Sequence, residues 1–140
     1  MSKKWQVEYT DEFGVWWDTL SEGEQEAICA VVGLLEDFGP ALSRPYADTV
    51  KGSRFGNMKE LRVQHKGRPI RILFAFDPRR TAILLIGGDK TGNDRWYEDY
   101  VPLADKLYEV HLKTIAKEQT YGQTVQRTPE QDEPRKPGTG

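Results

Sequence analysis

This 140-residue chain has a single cysteine, Cys29, and therefore cannot form an internal disulfide or a cysteine-based metal cluster. The thiol lies in the apolar run AICAVV, which predicts a buried side chain that fills space in the core. We therefore do not expect Cys29 to act as a nucleophile.

Long hydrophobic runs are also missing. No apolar stretch approaches the roughly 20 residues of a membrane span, and the polar start MSKKWQVEY contains no apolar signal segment. We therefore expect a soluble, cytoplasmic protein that contacts no membrane. With 37% hydrophobic and 30% charged residues, the chain has enough apolar side chains for one domain with a modest core.

The net charge of −2 argues against nonspecific binding to nucleic acid, but it conceals a segregation of charge. Residues 1–50 hold three Lys/Arg and ten Asp/Glu, whereas residues 51–90 hold ten Lys/Arg and three Asp/Glu. A basic segment of this kind predicts a surface that faces a polyanion. Alternatively, the basic strands only balance the acidic helices, and charge alone does not decide between the two.

Residues 58–90, inside the basic segment, have the clearest pattern in the chain. Runs rich in Ile, Leu, Val and Phe are separated by HKG and DPRR, two sequences that are typical of turns. This arrangement predicts three consecutive strands of one antiparallel sheet.

The two-residue period of a strand separates charged from apolar side chains here. In the first strand, Leu61 and Val63 point to one face, and Glu60 and Arg62 point to the other. In the second strand, Arg71 lies opposite a row of apolar side chains, namely Ile70, Ile72, Phe74 and Phe76. The pattern predicts one apolar face covered by helices and one charged face left open as a working surface.

The segments before the sheet predict one strand and two helices. Alternation in WQVEY favours a strand over residues 5–9, and Thr10 is placed to cap a helix over residues 11–20. The capping-box sequence SEGE then precedes a longer helix, which should end near residue 38 before a Gly-Pro pair.

The remaining segments complete the predicted fold. Residues 41–57 lack a clear period and read as a loop, whereas a helix is expected over residues 94–118, with Pro102 marking a kink or the start of a separate helix. Residues 119–140 are rich in Gln, Thr, Pro and Gly and are expected to be disordered, which leaves 1–118 as the domain. The predicted class is α+β, in the order β-α-α-β-β-β-α, with a mainly antiparallel twisted sheet and helices on one face.

Four features of the sheet follow one another in a recognisable order: Glu-Leu-Arg at residues 60–62, a glycine-containing turn, an Arg-led apolar run at 71–76, and an apolar strand that leads to Lys90. Behind a pair of helices, this order resembles the RelE/ParE superfamily of type II toxins, and specifically its HigB-like branch. The resemblance covers residues 5 to about 115 and implies a small RelE-like domain.

The resemblance implies an endoribonuclease that cuts messenger RNA in the ribosomal decoding site and so stops translation and growth. This chemistry needs no metal and no cofactor, because a base, cationic donors and an acid are sufficient. The resemblance also implies a small helix-turn-helix antitoxin of the HigA type, encoded next to the toxin gene. The complex of the two would repress the operon, and only through it would the toxin contact operator DNA.

The charged face supplies candidates for each catalytic role. Arg62 and Arg71 would grip the scissile phosphate with forked guanidinium groups, and Lys90, the basic residue after the last strand, would add positive charge. Glu60 or His65 is the candidate base, the latter because imidazole suits proton transfer near neutral pH.

Further residues are assigned to the substrate. Family comparison suggests that Tyr97 stacks on a base or donates a proton, with Trp96 as the neighbouring candidate for stacking. The candidate RNA-binding residues are Lys51, Arg54, Lys59, Arg68 and Trp96.

Plainer alternatives stay open at this point. The cluster of Glu60, Arg62 and Arg71 could be a structural salt-bridge network, and the aromatic pair Trp96 and Tyr97 could belong to the core. For the whole chain, the alternatives are a gyrase-inhibiting ParE-like toxin without nuclease activity and an inert, phage-derived binding module.

Overall fold

The computed structural model describes residues 4–122 of the chain. Its helices and strands are β1 (Val7–Tyr9), α1 (Asp11–Trp17), α2 (Glu22–Phe38), β2 (Ala47–Thr49), β3 (Lys59–His65), β4 (Arg68–Phe76), β5 (Ala82–Asp89) and α3 (Trp96–Gly122). A short 3-10 turn, Gly39–Ala41, follows α2. The predicted order is confirmed, with the strand β2 added inside the segment that was expected to be a loop.

The strands form one five-stranded sheet in the order β1-β5-β4-β3-β2. β1 runs parallel to β5, and the other neighbouring pairs are antiparallel. The predicted α+β class with a mainly antiparallel sheet is therefore confirmed. Among the described residues, β2 forms the edge next to β3.

The register between β3 and β4 depends on a two-residue turn. Lys66 and Gly67 both have positive φ angles, 50° and 78°, as required in the hairpin turn that matches the twist of the strands. The resulting register places Arg62 directly opposite Arg71. Because a slip of one residue would turn a whole strand over, this register decides that both arginines lie on one face.

Helices cover both faces of the sheet. The core under α1 and α2 contains Phe13, Ile28, Leu61, Ile72 and Leu84. The core under α3, on the other face, contains Leu73, Ala75, Leu85, Trp96 and Ala104. The structure differs here from the expectation of helices on one face and an open face opposite, since α3 covers the apolar part of the charged face. Only the end of that face that carries the two arginines lies outside the second core.

Both predicted helix starts are confirmed. The Thr10 hydroxyl accepts a hydrogen bond from the Phe13 backbone N–H at 3.0 Å and donates to the Leu85 carbonyl at 2.7 Å, so it also ties α1 to the sheet. At the start of α2, Ser21 and Glu24 form a reciprocal capping box, with bonds of 3.2 and 2.9 Å.

Three local predictions differ from the structure. Cys29 is exposed on the outer side of α2, next to the buried Ile28, so the expectation of a buried thiol was wrong. α3 continues through Pro102 as one helix, so the predicted alternative of a separate helix that starts at Pro102 is excluded. The same helix runs to Gly122, beyond the expected end at residue 118, and the predicted disorder of residues 123–140 lies outside the described residues.

Every helix between residues 4 and 122 is too short or too polar to cross a bilayer.

A buried charged network joins the turn between β4 and β5 to β1 and α3. The buried carboxylate of Asp77 accepts a hydrogen bond from Arg79 Nη2 at 2.7 Å and lies 2.8 Å from His111 Nε2. Arg79 also donates to Glu8 at 2.8 Å. Although burial opposes ionisation, the hydrogen bonds from His111 and Arg79 lower the pKa of Asp77 to about 2.

We expect Asp77→Asn to make the stability of the fold less sensitive to acid. Because the pKa of Asp77 is lowered from 3.8 to about 2 on folding, its ionised form stabilises the fold above pH ~4, and this contribution is lost as the pH falls towards 2. A shift of this size corresponds to about 2 kcal/mol. Urea unfolding at neutral pH and at about pH 2 measures the difference.

The exposed Asp94 provides the control for this prediction. Asp94→Asn should lose as much stability between the two pH values as the wild type does. An Asp77→Asn variant with wild-type acid sensitivity would show that another group is responsible.

Candidate active site

Arg62 and Arg71 lie on neighbouring strands, beside the first turn of α3. They are paired across β3 and β4 and therefore share a face. The Arg62 side chain is 32% exposed and that of Arg71 is 11% exposed. The two guanidinium groups thus emerge together, with Arg62 towards solvent and Arg71 recessed behind it.

A buried carboxylate holds the two arginines. Glu60 Oε2 lies 3.4 Å from Arg62 Nε, and Glu60 Oε1 lies 3.6 Å from Arg71 Nε. The Glu60 side chain is only 5% exposed, and its Oε1 accepts a hydrogen bond from the Tyr97 hydroxyl at 2.6 Å. One negative charge therefore faces two positive ones, and the cluster carries a net positive charge.

The hydrogen-bonding capacity of the arginines is incompletely used. Nε of Arg62 and Nε of Arg71 are both buried and have no hydrogen-bond partner among the described residues. Arg71 Nη1 donates to the neighbouring Ile70 carbonyl at 3.1 Å. Buried donors are normally satisfied, and exceptions often mark sites that bind an ion or a substrate. A cluster with excess positive charge, in which the Arg62 side chain reaches solvent, fits an anion such as a phosphate.

The Tyr97 hydroxyl is held in its protonated form. Burial raises the pKa of its phenol, and the hydrogen bond to Glu60 and the negative charge there raise it further, against the opposing effect of Arg71. The phenol therefore stays protonated at neutral pH. Lys90, at the end of β5, places its ammonium 5.1 Å from the centre of the Tyr97 ring.

Trp96 belongs to the core and does not face a substrate. It is buried and stacks on Tyr100, with ring centres 4.6 Å apart. It also presses on Gly88 of β5, where a Cβ atom would lie only 2.6 Å from the indole Nε1. Burial of Trp96 therefore excludes the expected stacking of RNA on it. The indole instead packs edge-on against the Tyr97 ring, with ring centres 5.1 Å apart.

Two other candidates lie away from the arginine pair. His65 continues the row of Leu61 and Val63 on the opposite face, where its ring lies against Gly23 of α2. Lys59 lies on that same face and donates to the Pro40 carbonyl at 3.3 Å. The structure does not bring His65 to the site, which leaves Glu60 as the candidate base.

The remaining basic candidates are placed at the surface. Arg54 is bound to α3 by an ion pair with Glu109 at 2.8 Å, and its backbone N–H donates to Asp105. Arg68 is exposed in the turn region and lies 3.8 Å from Asp89. Lys51 is exposed on the loop before β3. None of these three forms an ion pair with the Glu60 cluster.

Tyr46 is a neighbour of the site that the sequence did not indicate. Its carbonyl accepts a hydrogen bond from the Arg62 backbone N–H at 2.8 Å, which extends the ladder of β2 by one residue. Residues 41–57 have no hydrophobic period, so no sequence signal placed Tyr46 in a strand beside β3.

Between residues 4 and 122, no group of three or more His, Cys, Asp or Glu side chains is arranged to hold a metal ion.

Comparison with known proteins gives one family and two relatives. The family described as "Phage derived protein Gp49-like (DUF891)" matches residues 15–109. A Mycobacterium tuberculosis protein named "Putative toxin HigB3" is 50% identical over 95 residues, which cover 67% of this chain and 82% of that protein. Another protein of the same organism, "Putative toxin HigB2", is 44% identical over 104 residues, or 73% of this chain and 52% of that protein. The chain thus matches about half the length of the second relative.

Proposed function

We infer the function from one premise: this chain belongs to the family of phage-derived, Gp49-like proteins. The resemblance to HigB-like members of the RelE/ParE superfamily is confirmed by the two HigB relatives. The chain is the toxin of a type II toxin–antitoxin system, and it inhibits translation and growth as a metal-independent endoribonuclease that cuts messenger RNA on the ribosome.

The observation that carries the nuclease proposal is the pair of arginines on one face around a buried acid and a phenol. Arg62 and Arg71 bind the non-bridging oxygens of the scissile phosphate, and Lys90 adds charge at the edge. Cationic donors of this kind stabilise the negative charge that develops on the phosphorane, which is where most of the rate enhancement of such enzymes arises. The chain's own cations therefore supply the electrostatic part of the reaction.

Glu60 and Tyr97 supply the proton transfers. The Glu60 carboxylate takes the proton from the ribose 2'-hydroxyl, whose oxygen attacks phosphorus and forms a 2',3'-cyclic phosphate while the bond to the 5'-oxygen breaks. The Tyr97 hydroxyl gives its proton to that leaving oxygen. The proton held by Glu60 then returns to Tyr97 along the 2.6 Å hydrogen bond between them, so the site is restored without an external acid or base.

The partners follow from the same membership. A helix-turn-helix antitoxin of the HigA type, encoded beside the toxin gene, keeps the nuclease silent and represses the operon in complex with it. The ribosome presents the messenger RNA. Operator DNA is contacted only through the antitoxin complex.

Controlled expression in a bacterial host tests the proposal. We expect growth arrest within minutes of induction, accompanied by messenger RNA ends that repeat with the spacing of codons and are absent in uninduced cells. Sequencing of 5' RNA ends measures the cuts, and a reporter of DNA damage is read in parallel. A damage response without codon-spaced cuts would assign the chain to gyrase inhibition, and neither arrest nor cuts would leave a binding module.

A further inference from the structure

The two sides of the active site along the sheet differ. On the β5 side, Tyr97 in the first turn of α3 contacts Glu60 through its hydroxyl. On the other side, β3 is followed by β2, the last strand of the sheet in the described part of the chain. A nucleic acid strand bound at the arginines therefore has a path across β2.

Tyr46 is the first side chain on that path. The register pairs Ala47 with Leu61 and Asp48 with Glu60, and the bond from Arg62 N–H to the Tyr46 carbonyl continues it. Tyr46 lies in the turn that leads into β2, and the hydrogen bond from Arg62 N–H places its backbone opposite Arg62, one strand spacing of roughly 4.8 Å away. Alternation continued back from Ala47 puts the Tyr46 side chain on the face of Arg62. Ala47, which lies between Tyr46 and Asp48 in the sequence, is buried in the core on the other face, as this alternation requires.

The ring of Tyr46 is available to a ligand. The residue is 43% exposed. Among the described residues, its ring makes no aromatic or cation–π contact and its hydroxyl no hydrogen bond. This contrasts with Trp96 and Tyr97, whose rings pack on each other.

The charges around Tyr46 do not favour a second phosphate. Arg44, two residues before Tyr46, is bound to Asp48 through Nε at 2.8 Å and Nη2 at 2.7 Å. The opposite charges of that pair cancel. The surface beyond Arg62 therefore offers an aromatic plane without excess charge, which suits the flat face of a nucleobase.

We propose that Tyr46 is a stacking platform for the nucleobase next to the scissile phosphate. This inference rests on the proposed function, because it needs a single-stranded RNA held at Arg62 and Arg71. The phosphate binds at the arginines, the base on the β2 side lies on Tyr46, and the strand leaves over the edge of the sheet. Stacking on an aromatic ring accepts every base, so Tyr46 adds affinity and positions the strand without selecting a sequence.

Binding of two short oligonucleotides tests the platform. The first probe is a fluorescein-labelled hexamer of 2'-O-methyl adenosine, which cannot be cut because the nucleophile is blocked. The second has the same backbone without bases. We expect the wild type to bind the first about 10-fold more tightly than the second, as one stacked base would give. Tyr46→Ala should abolish that difference, and Tyr46→Phe should preserve it because the ring remains.

Two control variants separate the possible failures. Phe38→Ala removes another exposed aromatic, at the end of α2, and should bind both probes like the wild type. Arg71→Ala should weaken both probes equally. If Tyr46→Ala still bound the probe with bases more tightly than the probe without them, the platform would be overturned while the phosphate site stands. The exposed ring would then be assigned to a contact with a protein. Wild-type affinity in Arg71→Ala would overturn the phosphate site of the proposed function together with the platform. No binding by the wild type would overturn the platform alone, because the proposed nuclease receives its messenger RNA on the ribosome.

Discussion

Arg71→Ala should lower the rate of messenger cleavage by about 10²–10³-fold, the loss typical of removing one donor that stabilises the transition state. Arg71 is recessed beside Glu60, with its Nε 3.6 Å from Glu60 Oε1, so its removal takes away one of the two guanidinium groups at the phosphate. Growth arrest on expression should disappear with the cleavage. Thermal stability should fall only slightly, because Glu60 keeps the hydrogen bond from Tyr97 and the ion pair with Arg62.

The far end of α3 offers a control for this experiment. Lys113→Ala removes an exposed cation that pairs with Glu109 at 3.3 Å. It should leave cleavage, arrest and melting temperature unchanged. If Arg71→Ala stayed toxic and instead lost much of its stability, the cluster would be the structural salt-bridge network that the sequence left open.

Glu60→Gln should reduce cleavage at least as much as Arg71→Ala, since it removes the carboxylate that lies between the two guanidinium groups. Cleavage should fall by about 10²–10⁴-fold, because the amide cannot accept the proton of the 2'-hydroxyl. The fold should lose about 3 kcal/mol, the lower end of the range for a buried charge left without its partner, since Arg62 is partly exposed. Urea unfolding of wild type and variant measures the stability, and single-turnover cleavage measures the rate.

The pKa of Tyr97 provides a third measurement on the same variant. The hydrogen bond to Glu60 and its negative charge raise that pKa, in addition to burial, whereas Arg71 lowers it. Removing the charge of Glu60 should therefore lower the pKa of Tyr97. NMR titration of isotope-labelled tyrosine follows this change directly, and an unchanged pKa would mean that the two side chains are not coupled in solution.

An exposed glutamate on the first turn of α3 serves as the control for the Glu60 variant. Glu98 pairs with Arg95 at 2.8 Å, and both side chains are exposed. Glu98→Gln should change neither cleavage nor the pKa of Tyr97, and its effect on stability should stay below about 1 kcal/mol. Equal loss of cleavage in both glutamine variants would remove Glu60 from the role of base.

Some of the site could be predicted because its cause is local. Arg62 and Arg71 fall on one face by the two-residue period, and the Lys66-Gly67 turn holds the register that brings them opposite each other. The same period also contained the signal that His65 faces away, since it follows Leu61 and Val63 with a spacing of two. The proposal of His65 as a base gave more weight to the chemistry of imidazole than to its position on the strand.

Other parts of the site depend on packing between distant segments. Trp96 and Tyr97 are adjacent aromatic residues, and the sequence alone does not show which of them is buried. The docking of α3 on Gly88 buries Trp96 and turns Tyr97 towards Glu60. Tyr46 reaches the site through a hydrogen bond to Arg62, in a segment without any period. Neither outcome is encoded in neighbouring residues.

The amino-acid sequence alone determined the strands β3 to β5, the capped starts of α1 and α2, and the shared face of the two arginines. These features follow from the hydrogen bonds and side-chain alternation of a few consecutive residues, which a reader of the sequence can count. Only the tertiary structure decided which half of the charged face α3 covers and which aromatic rings stay exposed. Those choices depend on the fit of side chains from segments far apart in the chain, because burial is shared between surfaces that meet only in the folded protein.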